Sequence, residues 1–532
     1  MMKKILYTLC LAAAPLFFQA CDVLDLSPID YNAAGNYWQN ETQVNGFMTG
    51  LHNDLRAQLN EQYLHYGELR SESQKTTANL CGPNSRFGNY INNSISESLT
   101  LKTNWGGFYG RILQVNLMIE QMETGCEFLN DSKRNYYKGI AYGLRAYYYF
   151  WLYRSYGGVP LELEVKVTQG AVNAPDLYME RASAEETLAQ IKKDVETSVA
   201  AFSASGEKSP NYYHWSKDAS LMLKAEVYLW SAKVTTDDPK TPHIATGSAE
   251  DLNTAKSALS QLSGYALESD FSVLFSNAGK LKNKEVILSL YMDKDEATSG
   301  MYKGYFYHPG FNGTLVVDKE GNELGQDPLD LKGSALQYEE YKRALVESYD
   351  ETDSRRAATF FEFFRKEDLA FGCNILKFFG HSDNSAHYFD ADIHLYRYAD
   401  AVLMMAEIEN ALGNSCASYI NQIRERAYGE NYSAEVAYTD GTYAENELAI
   451  LKERDKEFVG EGKRWFDLLR LHDANKQPLV FAAEAGYAEE GLEQVPVLDK
   501  ATEAYKILWP IESSLMGADP LLTQTVNYPT VN

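Results

Sequence analysis

LKERDKEFVGEGKRWFDLLRL, residues 451–471, places large apolar groups and charges side by side near the C-terminus. Phe458 and Val459 close a charged helix, Gly460-Glu461-Gly462 breaks it, and a short second helix from Arg464 carries Trp465, Phe466, Leu468 and Leu469. Two glycines flanking one glutamate supply a sharp turn, and the apolar groups on both sides of it must enter a core. The stretch therefore reads as a helix-turn-helix corner. Arg454, Glu457, Glu461, Arg464 and Asp467 recur at roughly helical spacing. They are expected to pair with one another across the turn as a partly buried arginine–carboxylate network, a device that fixes geometry more dependably than it adds stability. The alternative for these five is an acid/base or anion site, because perturbed carboxylates occur in both settings.

The pattern E-R-x-x-E-F-x-G-E-G-x-R-W-F-D-L-x-R from Glu453 to Arg470 resembles the C-terminal signature of the SusD/RagB family. That resemblance implies a surface lipoprotein that binds nutrients and caps a TonB-dependent (SusC-like) outer-membrane transporter. Further stretches are similar to the same family. They include Gly67-Glu68-Leu69-Arg70-Ser71-Glu72, GIAYGLRAYYYFWLYRSYGGVPL from Gly139 to Leu161, Tyr396 to Glu407, Leu508-Trp509-Pro510-Ile511 and Asp519 to Gln524. The landmarks span nearly the whole chain.

The first twenty residues read as a signal peptide: Lys3 and Lys4, an apolar run from Ile5 to Phe18 too short to cross a bilayer comfortably, then Gln19-Ala20-Cys21. A small residue before Cys21 resembles a loose lipobox, implying cleavage there and lipidation of Cys21. The alternative is an ordinary secreted chain cut near Ala20. Of the remaining cysteines, Cys81, Cys126, Cys373 and Cys416 have irregular spacing and no C-x-x-C. They read as mostly buried thiols, with one disulfide open.

The mature chain, 21–532, is expected to form a single body, its N-terminal part about 21–230 and its C-terminal part about 280–532. No long Gly/Ser or Pro-rich linker separates them. The fold class is mainly α. Helices read from Gln43 to Leu59, along Tyr137–Tyr153 up to a Gly157-Gly158-Val159-Pro160 stop, from Ala184 to Phe202, Lys217 to Val234, Leu252 to Leu262, Tyr396 to Glu407 and Ala417 to Arg426. Glu285 to Tyr291 is the best strand. The resemblance implies tetratricopeptide-like helical hairpins as the scaffold, with long irregular loops and a few short strands.

A net charge of −25 makes the chain a poor nucleic-acid binder and favours a neutral ligand over an anionic one. No phosphate loop, nucleophile elbow, dinucleotide fingerprint or H-E-x-x-H is present, so no catalytic residue, metal ligand or cofactor site is assigned. His381, Asp383, His387, Asp390, Asp392 and His394 form a His/Asp-rich run without zinc spacing; it reads as a solvated loop, with metal binding as the alternative.

Two polar, irregular regions carry aromatics. Arg86, Phe87, Asn89 and Tyr90 lie between Ser73 and Ser98; Tyr302, Tyr305, Tyr307 and Phe311 lie between Met292 and Leu336. Polar loops rarely hold aromatics without a partner or a packing reason. For Phe87 and Tyr90 the readings are a pin that fixes the loop to the body, or a ligand platform. By their order along the chain the resemblance implies that both loops line the ligand site. The expected function is a cell-surface, outer-membrane glycan-binding lipoprotein that hands its ligand to the transporter. A peptide-binding RagB-like protein is the alternative, and a surface glycoside hydrolase the third reading.

Overall fold

The computed structural model describes residues 37–75, 87–100, 105–166, 173–234, 248–304, 316–333, 339–526 and 528. Cys21 and the leader lie outside them, as do Cys81, Arg86, Tyr305, Tyr307 and Phe311.

Several of the long helices begin where a polar cap meets an apolar repeat. Helix α1 spans Glu41–Gly67, two turns beyond the expected Leu59; the Asn40 side chain accepts from Gln43 N at 3.1 Å and stabilises its first turn. Helices α2 (Trp105–Thr124), α3 (Asp131–Tyr156), α4 (Ala184–Ser205), α5 (Lys217–Lys233) and α6 (Ala249–Leu259) follow. Ser183 and Glu186 form a reciprocal capping box at α4. From α2 to α6 each helix packs on the next in chain order, as expected for helical hairpins.

Helix α3 is buried on nearly every side from Ile140 to Tyr156, so its tyrosines are core rather than surface. Arg145 within it ties three helices together. It makes two 2.8 Å bonds to Asp194 of α4 and donates at 2.9 Å to Asn116 of α2. A bidentate, charge-assisted pair of this kind fixes helix rotation as well as distance.

Strand β1 (Val286–Leu290) lies inside the expected Glu285–Tyr291. Its antiparallel partner, which we number β5, is Ile393–Arg397. Helix α7 accordingly spans Tyr398–Ala411 and not from Tyr396: Tyr396 and Arg397 are held in the ladder opposite Leu288 and Val286. Between β1 and β5 the strands β2 (Val316–Val317), β3 (Phe360–Arg365) and β4 (Phe371–Ile375) form an antiparallel sheet in that order. Helices α8 (Ala417–Tyr428), α9 (Tyr443–Glu457) and α10 (Arg464–Arg470) complete the C-terminal part.

One apolar cluster reaches from Val44 of α1 to Tyr528, with Trp215, Trp230, Trp465 and Trp509 fully enclosed. Lys233, at the end of α5, reaches Glu407 of α7 at 2.9 Å and Glu447 of α9 at 2.6 Å, a buried link between the N-terminal helices and the C-terminal part. Cys126, Cys373 and Cys416 are buried free thiols.

The His/Asp run departs from the solvated loop expected of it, because most of its members are anchored. Asp390 accepts from Asn277 at 2.8 Å, and Asp392 accepts from Tyr213 at 2.6 Å and from Met292 N at 3.0 Å. His394 Nε2 donates to the Leu274 carbonyl at 2.6 Å, and Asp383 closes its own turn onto Ser385 and Ala386.

Candidate functional site

The corner at 458–464 has the expected form. Gly460 and Gly462 adopt φ of +74° and +67°, the left-handed region that glycine enters without strain. A side chain on Gly462 would meet the Tyr63 carbonyl oxygen at 2.5 Å, and one on Gly67 would meet the Gly462 carbonyl oxygen at 1.9 Å. The end of α1 and the corner are therefore in backbone-to-backbone contact.

The charged groups differ from expectation in two ways. They are fully buried rather than partly so, and of the five expected partners only Arg454 and Asp467 pair with each other, at 2.8 Å. Glu457 and Glu461 find partners far away in sequence. Arg397, at the end of β5, reaches Glu461 at 2.8 Å, Glu285 at 2.7 Å and Glu457 at 2.6 Å. Glu457 also receives Arg355 at 3.0 Å and Arg426 at 2.5 Å. Arg464 turns back to Asp455, and Arg454 also holds Asp400 at 2.9 Å. Burial alone would raise the Glu457 carboxyl; the guanidiniums of Arg426, Arg397 and Arg355 outweigh it and hold the group well below its usual range. These carboxylates are committed to guanidiniums inside the core, which is the arrangement of a scaffold and not of an acid/base pair facing a ligand.

This scaffold sets the roots of both aromatic loops. Gly460 O accepts from Tyr302 Oη at 2.8 Å and from Tyr63 Oη at 3.4 Å. Gly460 N and Tyr341 Oη both donate to Glu68 Oε1, at 3.4 Å and 3.2 Å. Burial pushes the Glu68 carboxyl up to about 7, against the opposing pull of these bonds and of Arg464. Residues 73–75 run against 340–342: Lys75 N donates to Glu340 O at 2.8 Å and Lys342 N to Ser73 O at 3.0 Å. Phe87 N donates to Glu339 Oε1 at 2.7 Å, and Glu339 N donates to Gly304 O at 3.3 Å. Lys75 and Phe87, which flank the first aromatic segment, and Gly304, which precedes the second, are thus joined through Glu339 and Glu340 into one small area.

The described loop residues divide into pins and a surface group. Phe87 and Tyr90 are in the core. Phe87 packs on His65 with ring centroids 5.3 Å apart, and Tyr90 stacks on His65 at 5.4 Å and meets Trp509 edge-on at 5.5 Å. Tyr302 is fully buried and stacks on Phe378 at 4.7 Å. For Phe87 and Tyr90 burial favours the pin over the ligand platform, and Tyr302, expected to line the ligand site, is core as well: their apolar faces fasten the loop ends. Asn89, on the short helix Gly88–Ile91, is exposed. Arg86, Tyr305, Tyr307 and Phe311 lie outside the described residues.

Sequence reasoning passed over a second concave region. Asn211 to His214 form a ridge between two clefts, one of about 600 Å³ that Tyr212 and Tyr265 line, and one of about 260 Å³ that Tyr213, His214, Tyr291 and Arg56 line. Two adjacent tyrosines in the polar stretch Ser209-Pro210-Asn211-Tyr212-Tyr213-His214 were the available signal.

Known proteins resemble this chain along nearly all its length. Residues 364–528 match the SusD family, and residues 25–229 match a family described as "Starch-binding associating with outer membrane". A SusD superfamily protein of Bacteroides fragilis is 34% identical, with a TM-score of 0.83 over 93% of this chain and 100% of that one. NanU of B. fragilis is 30% identical, with a TM-score of 0.79 over 95% of this chain and 100% of its own. The SusD-like protein P38 of Formosa agariphila is 26% identical over 535 residues, 95% of each chain.

Proposed function

The chain belongs to the SusD family, and from that premise we propose that it is a glycan-binding lipoprotein of the outer-membrane surface. It is anchored through Cys21 and passes its ligand to a TonB-dependent transporter. It acts by binding and not by turnover. The observation that supports this reading most is the common root of the two aromatic loops, joined through Phe87, Glu339 and Gly304 and fastened to the family's signature corner through Tyr302 and Gly460. A platform assembled from segments more than 200 residues apart needs such a rigid base if its aromatic faces are to meet one ligand. Arg86, Asn89, Tyr305, Tyr307 and Phe311 are the residues we assign to ligand contact. A pyranose ring offers an apolar C–H face that stacks on tyrosine or phenylalanine, and hydroxyls that pair with asparagine and arginine.

The test is affinity electrophoresis of the chain lacking residues 1–21 through gels containing starch, laminarin, arabinoxylan, pectin or mucin, beside Asn89→Ala and Tyr305→Ala. Retardation in at least one gel that Tyr305→Ala loses without a lower melting temperature supports the assignment. Binding to peptides with no retardation by any polysaccharide replaces it with peptide uptake. Incorporation of labelled fatty acid that Cys21→Ala abolishes tests the anchor.

A further inference from the structure

We propose that the ridge at Tyr212–Tyr213, with the clefts on its two sides, is a second glycan-binding surface that takes a neutral stretch of the same polysaccharide. This rests on the glycan reading above.

Three rings form a continuous row: Tyr212 and Tyr213 have centroids 4.8 Å apart at 73°, and Tyr213 and Tyr291 are 4.9 Å apart at 68°. Both contacts are edge-to-face, so each pair covers one ring face and leaves the others open to a ligand, apart from the Tyr291 face over which Lys280 Nζ sits 5.5 Å from the ring centre. All three rings are partly exposed. Each hydroxyl is bonded to the protein. Tyr212 Oη accepts from Leu281 N at 2.5 Å, Tyr213 Oη donates to Asp392 at 2.6 Å and Tyr291 Oη lies 3.4 Å from Asp293. With the polar tips anchored, the rings are held before any ligand arrives, which lowers the entropy lost on binding.

The clefts have the polarity that such a ligand needs. In the smaller one Arg56 pairs with Glu296 at 2.5 Å and donates to the Tyr291 carbonyl at 3.0 Å, next to exposed Asn53. In the larger one Tyr265 donates to Asp218 at 2.8 Å and serines alternate with charges of both signs. The lining charges balance, Arg56 against Glu296 in the smaller cleft and Lys208 and Lys217 against Glu207 and Asp218 in the larger, so neither favours an ion, and the larger volume lies within the range of small-molecule sites. Helix α1 runs between this surface and the loop roots: Asn53 borders the smaller cleft and Gly67 meets the corner, a separation of roughly 20 Å along the helix. A single polymer chain held at both places dissociates more slowly than one held at either.

The test compares wild type, Tyr305→Ala and the double variant Tyr212→Ala/Tyr291→Ala on whichever of the five polysaccharides retards the wild type. Thr49→Arg serves as a second variant, since it fills the smaller cleft from an exposed position on α1. The expected result is a loss of at least about tenfold in polysaccharide affinity for the double variant and for Thr49→Arg, with short oligosaccharides of the same glycan binding at the loops as in wild type. Unchanged polysaccharide affinity in Thr49→Arg and in a folded double variant, with Tyr305→Ala still defective, overturns the second surface and leaves the first. No retardation of the wild type in any gel overturns both.

Discussion

Replacing Arg397 by methionine keeps most of the side chain's volume and removes its charge. Arg397 is the arginine that joins β5 to the corner, bonded to Glu461, Glu285 and Glu457 and to the Glu457 carbonyl at 2.8 Å. Its removal leaves three buried carboxylates facing one another with Lys377, Arg355 and Arg426 as their remaining cations. Breaking a buried pair from one side costs about 3–5 kcal/mol, and here three partners are affected. For a chain of about 500 residues the unfolding entropy is on the order of 1 kcal/mol/K, so a loss of about 4 kcal/mol lowers the melting temperature by about 4 °C. The pH dependence carries the diagnostic sign. In the wild type Glu457 is held low by its arginines, so its contribution is present above the ordinary carboxylate pKa and fades as pH falls through the depressed value. Without Arg397 the carboxyls rise and protonate in mild acid, which relieves their repulsion. The gap between variant and wild type is therefore widest at neutral pH and narrows toward pH 5. Differential scanning calorimetry measures it, with Arg365→Ala, from a half-exposed surface pair, as a control that leaves the melting temperature unchanged. A variant that melts within about 1 °C of wild type, or a gap that widens in acid, refutes the reasoning.

Two further perturbations follow from the corner. Because Glu68 is raised to about 7 from 4.5, the fold binds a proton there that the unfolded chain has lost; the stabilisation is full below pH 4.5 and disappears as pH rises through about 7, a span worth about 3 kcal/mol. Glu68→Gln removes that dependence, so its melting temperature falls less than that of wild type between pH 5 and 8, and parallel curves would contradict the assignment. Gly462→Ala combines positive φ with a clash on the Tyr63 carbonyl, and it lowers stability by at least about 2 kcal/mol in urea titration; a loss no larger than that of an exposed Gly206→Ala change would show that the close contact is not needed.

What could be read in the sequence was local. The helices from Gln43 and Ala184 were visible because Asn40 and Ser183 precede an apolar repeat, and the corner because two glycines flank Glu461, whereas the start of α9 behind Thr442 was not read. The hairpin of β3 and β4 was not: Phe360, Phe361, Phe363 and Phe364 fill both faces of β3 and mask its period of two. The network was only half legible. Its acidic and basic members stand out in residues 453–467, but Arg355, Arg397 and Arg426 come from separate elements, and no spacing rule joins them to Glu457. Phe87 and Tyr302 were found as unusual loop aromatics, yet composition alone does not distinguish a buried root from an exposed tip, and here burial decides for the root. The same criterion applied to Tyr212 and Tyr213 would have pointed to the second surface.

The central claim is that the signature corner holds the roots of two loops together so that they receive one glycan. Hydrogen–deuterium exchange of the chain lacking residues 1–21, with and without the polysaccharide that retards it, tests this most directly. The account predicts that the ligand slows exchange at 87–94, at 300–304 and at 339–342 together, while the network helices α9 and α10 are unchanged. Ligand-dependent protection that spares all three of these segments would contradict it.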